Sequence, residues 1–492
     1  GVYAFARISR ERTRAVEARR EAEAALAESR IEAEKSAAVA GFLQDMLTAP
    51  RPRAREKPDI TVREVLDGAA ARVGRRFADR PEAAFMLHET LGNTYNAIGR
   101  YGKAVEELRK AEALLDERGG DPRVAVRLRL AIARAVRNAG RYWEALPLFR
   151  ENYRTARRMF GDYDPQTIDC LSALCNIYNS KYDPAAAEAL LRETLDNEPP
   201  DRPLDGRVRF RLVANRARSL ALLKRWDEAE AMYGRTVAMA SELWGSENVE
   251  VYYQKKGLAC VLRESGRYAR AESLYREVLE RFVPAFGEEH PEVLQTRMVL
   301  ASALEGQGRY DEACAIHRAN VETAVRVLGD RHQETLWFRV RLATTLKHLG
   351  KLEEAERHVR EAYEKTLAVF GPDHARPCRT RRSLIDVLIE RGKWTEAEAL
   401  CRRNIIDRRR LIGPESGEAL SSRTMLGLIL FRQGKLEEAE AVLREAVRAA
   451  RQTRSEDDGI ARQGAECLRK LLTRQGRPVE NAPLPKPLPA DD

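Results

Sequence analysis

A short motif recurs along this chain at a spacing close to 42 residues, and this period constrains the fold more than any other feature. The motif is a Gly, a basic residue, an aromatic residue or Leu, and an Ala three residues later. Seven copies begin at Gly99, Gly140, Gly266, Gly308, Gly350, Gly392 and Gly434, and two weaker copies begin at Ser180 and Lys224. A fixed period of this length predicts a solenoid of stacked helical units. Such a fold offers a long surface and usually has no catalytic pocket of its own.

Each repeat is predicted to contain a first helix, a turn at the Gly, and a second helix. A turn Gly can adopt a positive φ at the end of a helix. Small residues in the first helices, namely Gly92, Ala133, Ala259, Ala301 and Ala343, allow two helices to approach closely. We expect the aromatic residue after the turn to fill the gap between the paired helices.

A second periodic signal lies between the repeats and predicts where each second helix stops. Its copies are Phe160-Gly161, Trp244-Gly245, Phe286-Gly287, Leu328-Gly329, Phe370-Gly371 and Ile412-Gly413. Asp164, His290, His332 and His374 follow three or four residues later, at the N-cap position of the next first helix. The three His residues are 42 apart, so a metal ladder is the alternative. N-capping is favoured, because neighbouring helices pack roughly 10 Å apart, too far for shared coordination near about 2.1 Å.

The ends of the array differ from its middle. Residues 1–50 are rich in Ala, Glu and Arg and predict a connector helix, with Phe42, Leu43, Met46 and Leu47 forming a packing face near its end. Residues 51–80 predict a degenerate N-terminal capping helix, from about Thr61 to Phe77. The solenoid is predicted over 81–476, with about nine repeats and an eroded C-terminal cap. Residues 477–492 are Pro-rich and predict a disordered tail.

These motifs resemble known repeat families. The spacing Leu91-Gly92-x-x-Tyr95-x-x-x-Gly99-x-Tyr101-x-x-Ala104 matches the tetratricopeptide pattern, and the 42-residue length resembles the kinesin light chain type. The resemblance implies an all-α fold, a right-handed superhelical solenoid of tetratricopeptide-type helix pairs.

A second resemblance covers nearly the whole chain. Phe42-Leu43-Gln44-Asp45-Met46-Leu47, the segment from Asp59 to Asp67, and Leu91-Gly92-x-x-Tyr95 resemble the region after the kinase domain and membrane helix in planctomycete-type bacterial serine/threonine protein kinases. This implies a non-catalytic kinase tail. No kinase catalytic residue is present to be carried over.

Composition narrows the classes of function. The net charge is +10, from 86 basic and 76 acidic residues, but the charges are interspersed, so we expect no nucleic-acid partner. The seven Cys residues contain no C-x-x-C pair and are read as small buried hydrophobes rather than zinc ligands or disulfides. Catalytic signatures such as G-x-x-x-x-G-K-[ST] and H-E-x-x-H are absent. We therefore expect no enzyme activity in this chain, no metal and no cofactor.

The apolar residues from Gly1 to Ala6 are followed by Arg7, Arg10 and Arg12, which suggests the end of a membrane span and its basic flank. The sequence is compatible with two locations of the protein: the cytoplasm, or a membrane to which a segment upstream of Gly1 tethers it. The side of the membrane is undetermined. Self-association through the N-terminal helix is a further expectation.

A basic residue also recurs eleven residues before the turn Gly, in Lys255, Arg297, Arg339, Arg381 and Arg423; we call this series the basic ladder. One interpretation is a surface for an acidic peptide. The favoured one is a packed stem whose charged head bonds an adjacent loop.

The resemblance to tetratricopeptide proteins implies a concave groove lined by first-helix residues at two, three, six, ten and thirteen positions before the turn Gly. Arg and Asn side chains there can bind carboxylates and backbone groups of a peptide. The candidates are Asn93, Asn96, Arg127, Arg134, Arg137, Asn138, Arg211, Arg218, Tyr253, Lys256, Arg263, Trp337, Lys347, Arg379 and Arg382. The predicted function is a scaffold or sensor that binds a protein or peptide partner in this groove. An acidic partner is one of the alternatives. A free-standing scaffold unrelated to a kinase is the other interpretation.

Overall fold

The computed structural model describes residues 40–41, 44, 62–117, 119–201, 203–372, 374–413, 417–453 and 459–477. The predicted connector helix and its packing face, and the tail beyond Arg477, lie outside these residues apart from Ala40, Gly41 and Gln44. The chain divides into two compact units, Gly1–Ala139 and Gly140–Asp492. All regular structure in the described ranges is helical, which confirms the all-α solenoid of helix pairs.

Helices follow one another in antiparallel pairs in both units. The first unit contains α1 (Val62–Arg76), α2 (Pro81–Ala97), α3 (Tyr101–Asp116) and α4 (Pro122–Asn138). The second unit contains α5 (Tyr142–Phe160), α6 (Pro165–Ile177), α7 (Pro184–Asp196), α8 (Gly206–Leu222), α9 (Trp226–Trp244), α10 (Val249–Glu264), α11 (Tyr268–Phe286), α12 (Pro291–Gly306), α13 (Tyr310–Leu328), α14 (Gln333–His348), α15 (Leu352–Phe370), α16 (Ala375–Glu390), α17 (Trp394–Ile412), α18 (Gly417–Arg432), α19 (Leu436–Thr453) and α20 (Gly459–Arg474).

The recurrent small residues sit where paired helices are closest. A Cβ added to Gly92 would lie 2.6 Å from Leu108 Cγ, so only Gly fits that crossing of α2 and α3. Ala104, Ala229 and Ala313 are completely buried. Each turn Gly of the strong copies has a positive φ, for example 79° at Gly140 and 78° at Gly308. The predicted role of the turn Gly is therefore confirmed, and the recurrent Ala is buried.

One predicted repeat boundary is wrong. The sequence interpretation placed a weak copy at Ser180 with its Ala at Ala185, but Ala185 is exposed and the buried residue is Ala187. A π-helical segment, Tyr178–Tyr182, continues from α6 in place of the Gly turn. Ala187 is 42 residues after Ala145, so the π-helix keeps the period while the local sequence departs from the motif. In the other weak copy, Lys224 takes the turn position with a φ of 59°.

His side chains cap three first helices, as predicted. The Nδ1 atoms of His290, His332 and His374 accept hydrogen bonds from the backbone N–H two residues on, at 3.2, 3.3 and 3.1 Å. Asp164 and Asn248 cap their helices in the same way. The regular spacing of these His residues is thus explained by helix initiation.

The basic ladder is occupied by carboxylates of the same chain. Arg297 pairs with Glu288, and Arg339 pairs with Asp330 at 2.7 Å, both in the preceding loop, which confirms the favoured interpretation for these two. The remaining contacts reach the second helix of the pair: Lys255–Glu277 at 2.6 Å, Arg339–Glu361 at 2.9 Å, Arg381–Asp407 at 2.9 Å and Arg423–Glu445 at 3.4 Å. These cations stabilise the fold and are not displayed to a partner.

A second series of ion pairs joins successive repeats. The Glu that follows the recurrent Ala pairs with the basic residue of the next turn, 37 residues later; we call these pairs the inter-repeat staples. They are Glu188–Arg225, Glu230–Arg267, Glu272–Arg309, Glu356–Lys393, Glu398–Lys435 and Glu440–Arg477, with N···O distances from 2.5 to 3.8 Å. Lys351 has no such partner among the described residues, because Cys314 occupies the Glu position. The basic residue of the turn is visible in the sequence motif, but its ion pair with the preceding repeat is not.

Candidate partner-binding groove

All of the candidate groove residues lie on first helices, and each retains some solvent exposure. In the first unit, Asn138 Nδ2 donates a hydrogen bond to Asn96 Oδ1 at 3.0 Å, joining α4 to α2. Arg137 in turn donates to Asn138 Oδ1 at 3.2 Å. Asn93 and Arg134 are exposed and form no hydrogen bond or ion pair with the described residues. This face therefore combines polar side chains that are hydrogen-bonded within the chain with polar side chains that have no partner among the described residues.

Most cationic candidates of the second unit are already paired. The ion pairs are Arg211–Asp169 at 2.8 Å, Lys256–Glu292 at 3.0 Å, Arg263–Glu264 at 2.5 Å and Arg382–Asp386 at 3.3 Å. Tyr253 packs with its ring centroid 5.0 Å from that of Phe282, and burial raises the pKa of its hydroxyl. These side chains shape the surface, but a partner would have to compete for them.

Three candidate cations differ from the rest. Arg218, Lys347 and Arg379 form no hydrogen bond or ion pair with any described residue of the second unit. Arg379 lies on α16, next to the exposed Trp337 of α14, whose exposed fraction is 43%. Trp and Arg side chains are enriched among the residues that dominate the energetics of protein interfaces.

Trp337 and Arg379 line a recess of about 390 Å³ between α14 and α16. Leu336, Val340 and Phe370 supply more of its apolar lining. Its polar lining includes Arg341, Thr344, Thr380 and Ser383. Val340 and Thr344 occupy groove positions ten and six before Gly350, but only aromatic, amide and charged side chains were selected as candidates at those positions.

Arg341 is held in place on one wall of this recess. Its Nη2 donates to Glu305 Oε2 at 2.7 Å and to Ser302 Oγ at 2.8 Å. Burial alone would raise the pKa of Glu305, but the His317 ring, whose Nε2 atom lies 3.5 Å from Glu305 Oε1, and the charge of Arg341 hold that pKa below its usual value. The carboxylate therefore stays ionised and the guanidinium stays oriented.

A second Arg is fixed on the opposite side. Arg376 donates to Gln333 Oε1, and its guanidinium lies 4.7 Å from the centroid of the Phe370 ring. Arg341 and Arg376 are bonded to other groups of the same chain. Among the described residues of the recess, Arg379 is therefore the cation available to a ligand. The arrangement suits a ligand with one carboxylate and one large apolar group.

The described residues contain no group of three or more His, Cys, Asp and Glu side chains placed to hold a metal ion. In the same ranges, no helix combines the length and apolarity needed to cross a bilayer. The candidate site is a surface recess built from Arg, hydroxyl and apolar side chains, with Gln333 and the carboxylate of Glu334 also in its lining.

Comparison with known proteins identifies the repeat. A family model described as "Tetratricopeptide repeat" matches residues 249–313, 292–367 and 376–452. The helix pairs within these ranges match that repeat model. A search of curated proteins found no match to the chain.

Several solved structures align with parts of this chain at low identity. BtubC from P. vanneervenii is 22% identical, with 46% of this chain and 91% of that chain covered and a TM-score of 0.41. A putative kinesin light chain of Podosopora anserina is 20% identical, with 41% and 95% covered and a TM-score of 0.38. The apo quorum sensor NprR from B. thuringiensis is 15% identical, with 73% and 96% covered and a TM-score of 0.45.

Proposed function

We propose that this chain is a protein-interaction module that binds an extended peptide through the recess between α14 and α16. The observation that carries the proposal is that one recess is lined by Trp337, 43% exposed, and by Arg379, a cation without a partner among the described residues. Trp and Arg side chains dominate the energetics of protein interfaces, especially where they border a pocket. The neighbouring hydroxyls of Thr344, Thr380 and Ser383 add capacity for hydrogen bonds.

The chemistry of the recess defines the ligand. A carboxylate of the peptide pairs with Arg379, and a large apolar side chain nearby packs against Trp337 and Val340. Arg341 and Arg376 remain bonded to Glu305 and Gln333, so Arg379 is the cation that meets the ligand's carboxylate, and Glu334 is the carboxylate of the lining. An acidic residue next to a bulky apolar residue is therefore the preferred sequence in a partner.

Peptides selected from a random library on the purified chain test this proposal. The selected sequences should combine an acidic and a bulky apolar residue, and Arg379→Glu and Trp337→Ala should each weaken their binding tenfold or more in fluorescence anisotropy. Matched controls are Arg158→Glu and Trp143→Ala, which are exposed on α5 and outside the recess. Unchanged affinity in both recess variants would contradict the proposal.

Arg134 and Arg137 of the first unit are a second candidate contact for the partner, since Arg134 is exposed and unpaired among the described residues. The double variant Arg134→Glu/Arg137→Glu separates the two sites. Loss of binding in this variant alone would move the site to α4.

We further propose, from the resemblance of residues 42–95, that the module is the non-catalytic tail of a bacterial serine/threonine protein kinase. The alternative is a free-standing scaffold, with self-association through its N-terminal segment. The genomic reading frame upstream of Gly1 distinguishes the two, because a stop codon immediately before it excludes the kinase. In either case the recess acts by binding, and location follows the upstream sequence: cytoplasmic or membrane-tethered.

A further inference from the structure

A second recess, remote in sequence from the groove residues of α14 and α16, lies at the repeat formed by α8 and α9. Its volume is about 480 Å³, and it is walled by the loop after α7. That loop contains Pro199, Pro200 and Pro203, and it replaces the Gly-containing loop found in the other repeats. Tyr163 anchors its start by donating a hydrogen bond to the carbonyl oxygen of Asn197 at 2.5 Å.

The basic ladder is interrupted in the repeat that holds this recess. The ladder position 42 residues before Lys255 holds Val213, which is 1% exposed. The position of Lys255's partner, Glu277, is held here by Arg235. In the five repeats that carry the ladder, a long cation on the first helix meets a carboxylate; here the short apolar side chain of Val213 and the guanidinium of Arg235 line the recess. Val213 is shorter than the Lys or Arg of the other ladder positions, which leaves space beside it. No carboxylate takes the place of Glu277, so the charge of Arg235 is not neutralised by a described residue.

Two more guanidinium groups line the same recess and are already fixed. Arg209 Nη2 pairs with Glu198 at 2.5 Å, and Arg216 donates from Nε and Nη2 to Glu188 Oε1 at 3.2 and 3.1 Å. Arg209 Nε is buried and has no hydrogen-bond partner in the described part of the chain. Both side chains are therefore oriented before any ligand binds.

Arg235 is the third Arg that lines the recess. It is exposed and forms no ion pair or hydrogen bond with the described residues, including Asp196, the other carboxylate that lines the recess. Among the described residues, three Arg and two carboxylate side chains give the lining a formal charge of +1. Converging guanidinium groups are the preferred protein ligands of phosphate, because their N–H groups match its oxygens in pairs.

We propose that this recess binds a phosphate monoester group, with Arg235 as the main cation and Arg209 and Arg216 as oriented donors. The ligand is free phosphate or the phosphorylated side chain of a peptide, which share this chemistry. The site is independent of the peptide recess between α14 and α16, and either proposal stands without the other.

The test measures binding to the purified chain by calorimetry at constant ionic strength, with inorganic phosphate, a phosphoserine peptide and acetate as separate ligands. Saturable binding of phosphate or of the phosphoserine peptide, weakened about tenfold or more by Arg235→Gln, supports the site. The phosphopeptide binding more tightly than inorganic phosphate identifies a side chain as the source. Arg154→Gln, an exposed Arg of α5 without a partner among the described residues, is the matched control and should bind like the wild type.

A second variant separates lost binding from lost folding. Val213→Lys with Arg235→Glu recreates the Lys255–Glu277 pair at this repeat, so the variant should keep the thermal stability of the wild type while losing phosphate binding. The proposal is overturned if no phosphate ligand binds, if acetate binds as tightly as phosphate, or if Arg235→Gln leaves the affinity unchanged.

Discussion

Glu356 Oε1 accepts a hydrogen bond from Lys393 Nζ at 2.8 Å, although the two residues belong to successive repeats. Arg391 donates to the other carboxylate oxygen at 2.6 Å, and Arg360 approaches within 2.7 Å. The Glu356 side chain is only 8% exposed, so solvent screens these contacts weakly. This staple therefore couples one helix pair to the next.

The staple predicts a specific pH dependence. Burial alone would raise the pKa of Glu356, but hydrogen bonds from Lys393, Arg360 and Arg391 lower it from 4.5 to about 2. Because the folded-state pKa lies below the unfolded-state pKa, this stabilisation is complete above pH 4.5 and is lost as the pH falls towards 2. A tenfold change in the acid dissociation constant between the two states corresponds to about 1.4 kcal/mol of stability.

We expect Glu356→Gln to unfold at a lower temperature at pH 7 and to lose part of the acid-induced fall seen for the wild type. Thermal unfolding measured from pH 7 down to pH 3 checks this. Glu437→Gln, at an exposed Glu without a partner in the described ranges, is the control. Parallel pH curves for wild type and Glu356→Gln would contradict the coupling.

The interruption at Cys314 predicts a stabilising substitution. Cys314 occupies the staple position of its repeat, and Lys351 is left without an ion pair in the described part of the chain. Cys314→Glu should raise the free energy of unfolding by about 0.5–1 kcal/mol, the upper range for a partly exposed pair. Denaturant unfolding measures it, with Cys314→Gln as the isosteric control. Equal stability of the two variants would show that no staple forms.

The buried pair Arg381–Asp407 predicts a large loss and a rescue. The side chains are 2% and 1% exposed, and Arg381 also donates from Nε to the Tyr363 hydroxyl at 3.0 Å. Asp407→Ala should cost about 3–5 kcal/mol, because it leaves a buried guanidinium without its counter-charge. The double variant Arg381→Met/Asp407→Leu should recover most of this loss in chemical unfolding. A double variant as unstable as Asp407→Ala would contradict this account.

The turn at Lys224 predicts a gain from Gly. A φ of 59° is unfavourable for Lys by about 1–2 kcal/mol, while Gly costs roughly 0.5–1 kcal/mol in chain entropy. Lys224→Gly should therefore raise the free energy of unfolding by up to about 1 kcal/mol. Lys351→Gly is the control, since Lys351 has a φ of −81° and gains nothing from Gly. Destabilisation by both substitutions would refute the argument.

Much of the repeat architecture is visible in the sequence, because each local signal has a local cause. His290 caps its helix through a backbone N–H two residues away, and Gly308 ends a helix through its own φ. The failure near Ser180 has an equally local cause. The motif there was matched by residue type, whereas the 42-residue spacing from Ala145 already pointed to Ala187.

The candidate sites were less predictable than the fold. Arg211 and Lys256 occupy groove positions as Arg379 does, yet Asp169 and Glu292 neutralise the first two. Whether a groove cation is open to a partner depends on which carboxylate the adjacent repeat brings within reach, and the helical period alone does not specify this.

The sequence by itself determined the all-α repeat, its 42-residue period, the caps and turns, and the positions at which small residues allow helices to cross. These depend on contacts within a helix or across one turn, which residue spacing encodes directly. Only the tertiary structure decided which charges are paired, as in the staples and the basic ladder, and where spaces remain beside Trp337 and Val213. Those properties arise from side chains of different repeats meeting in space, so they require the packing distances that a period does not contain.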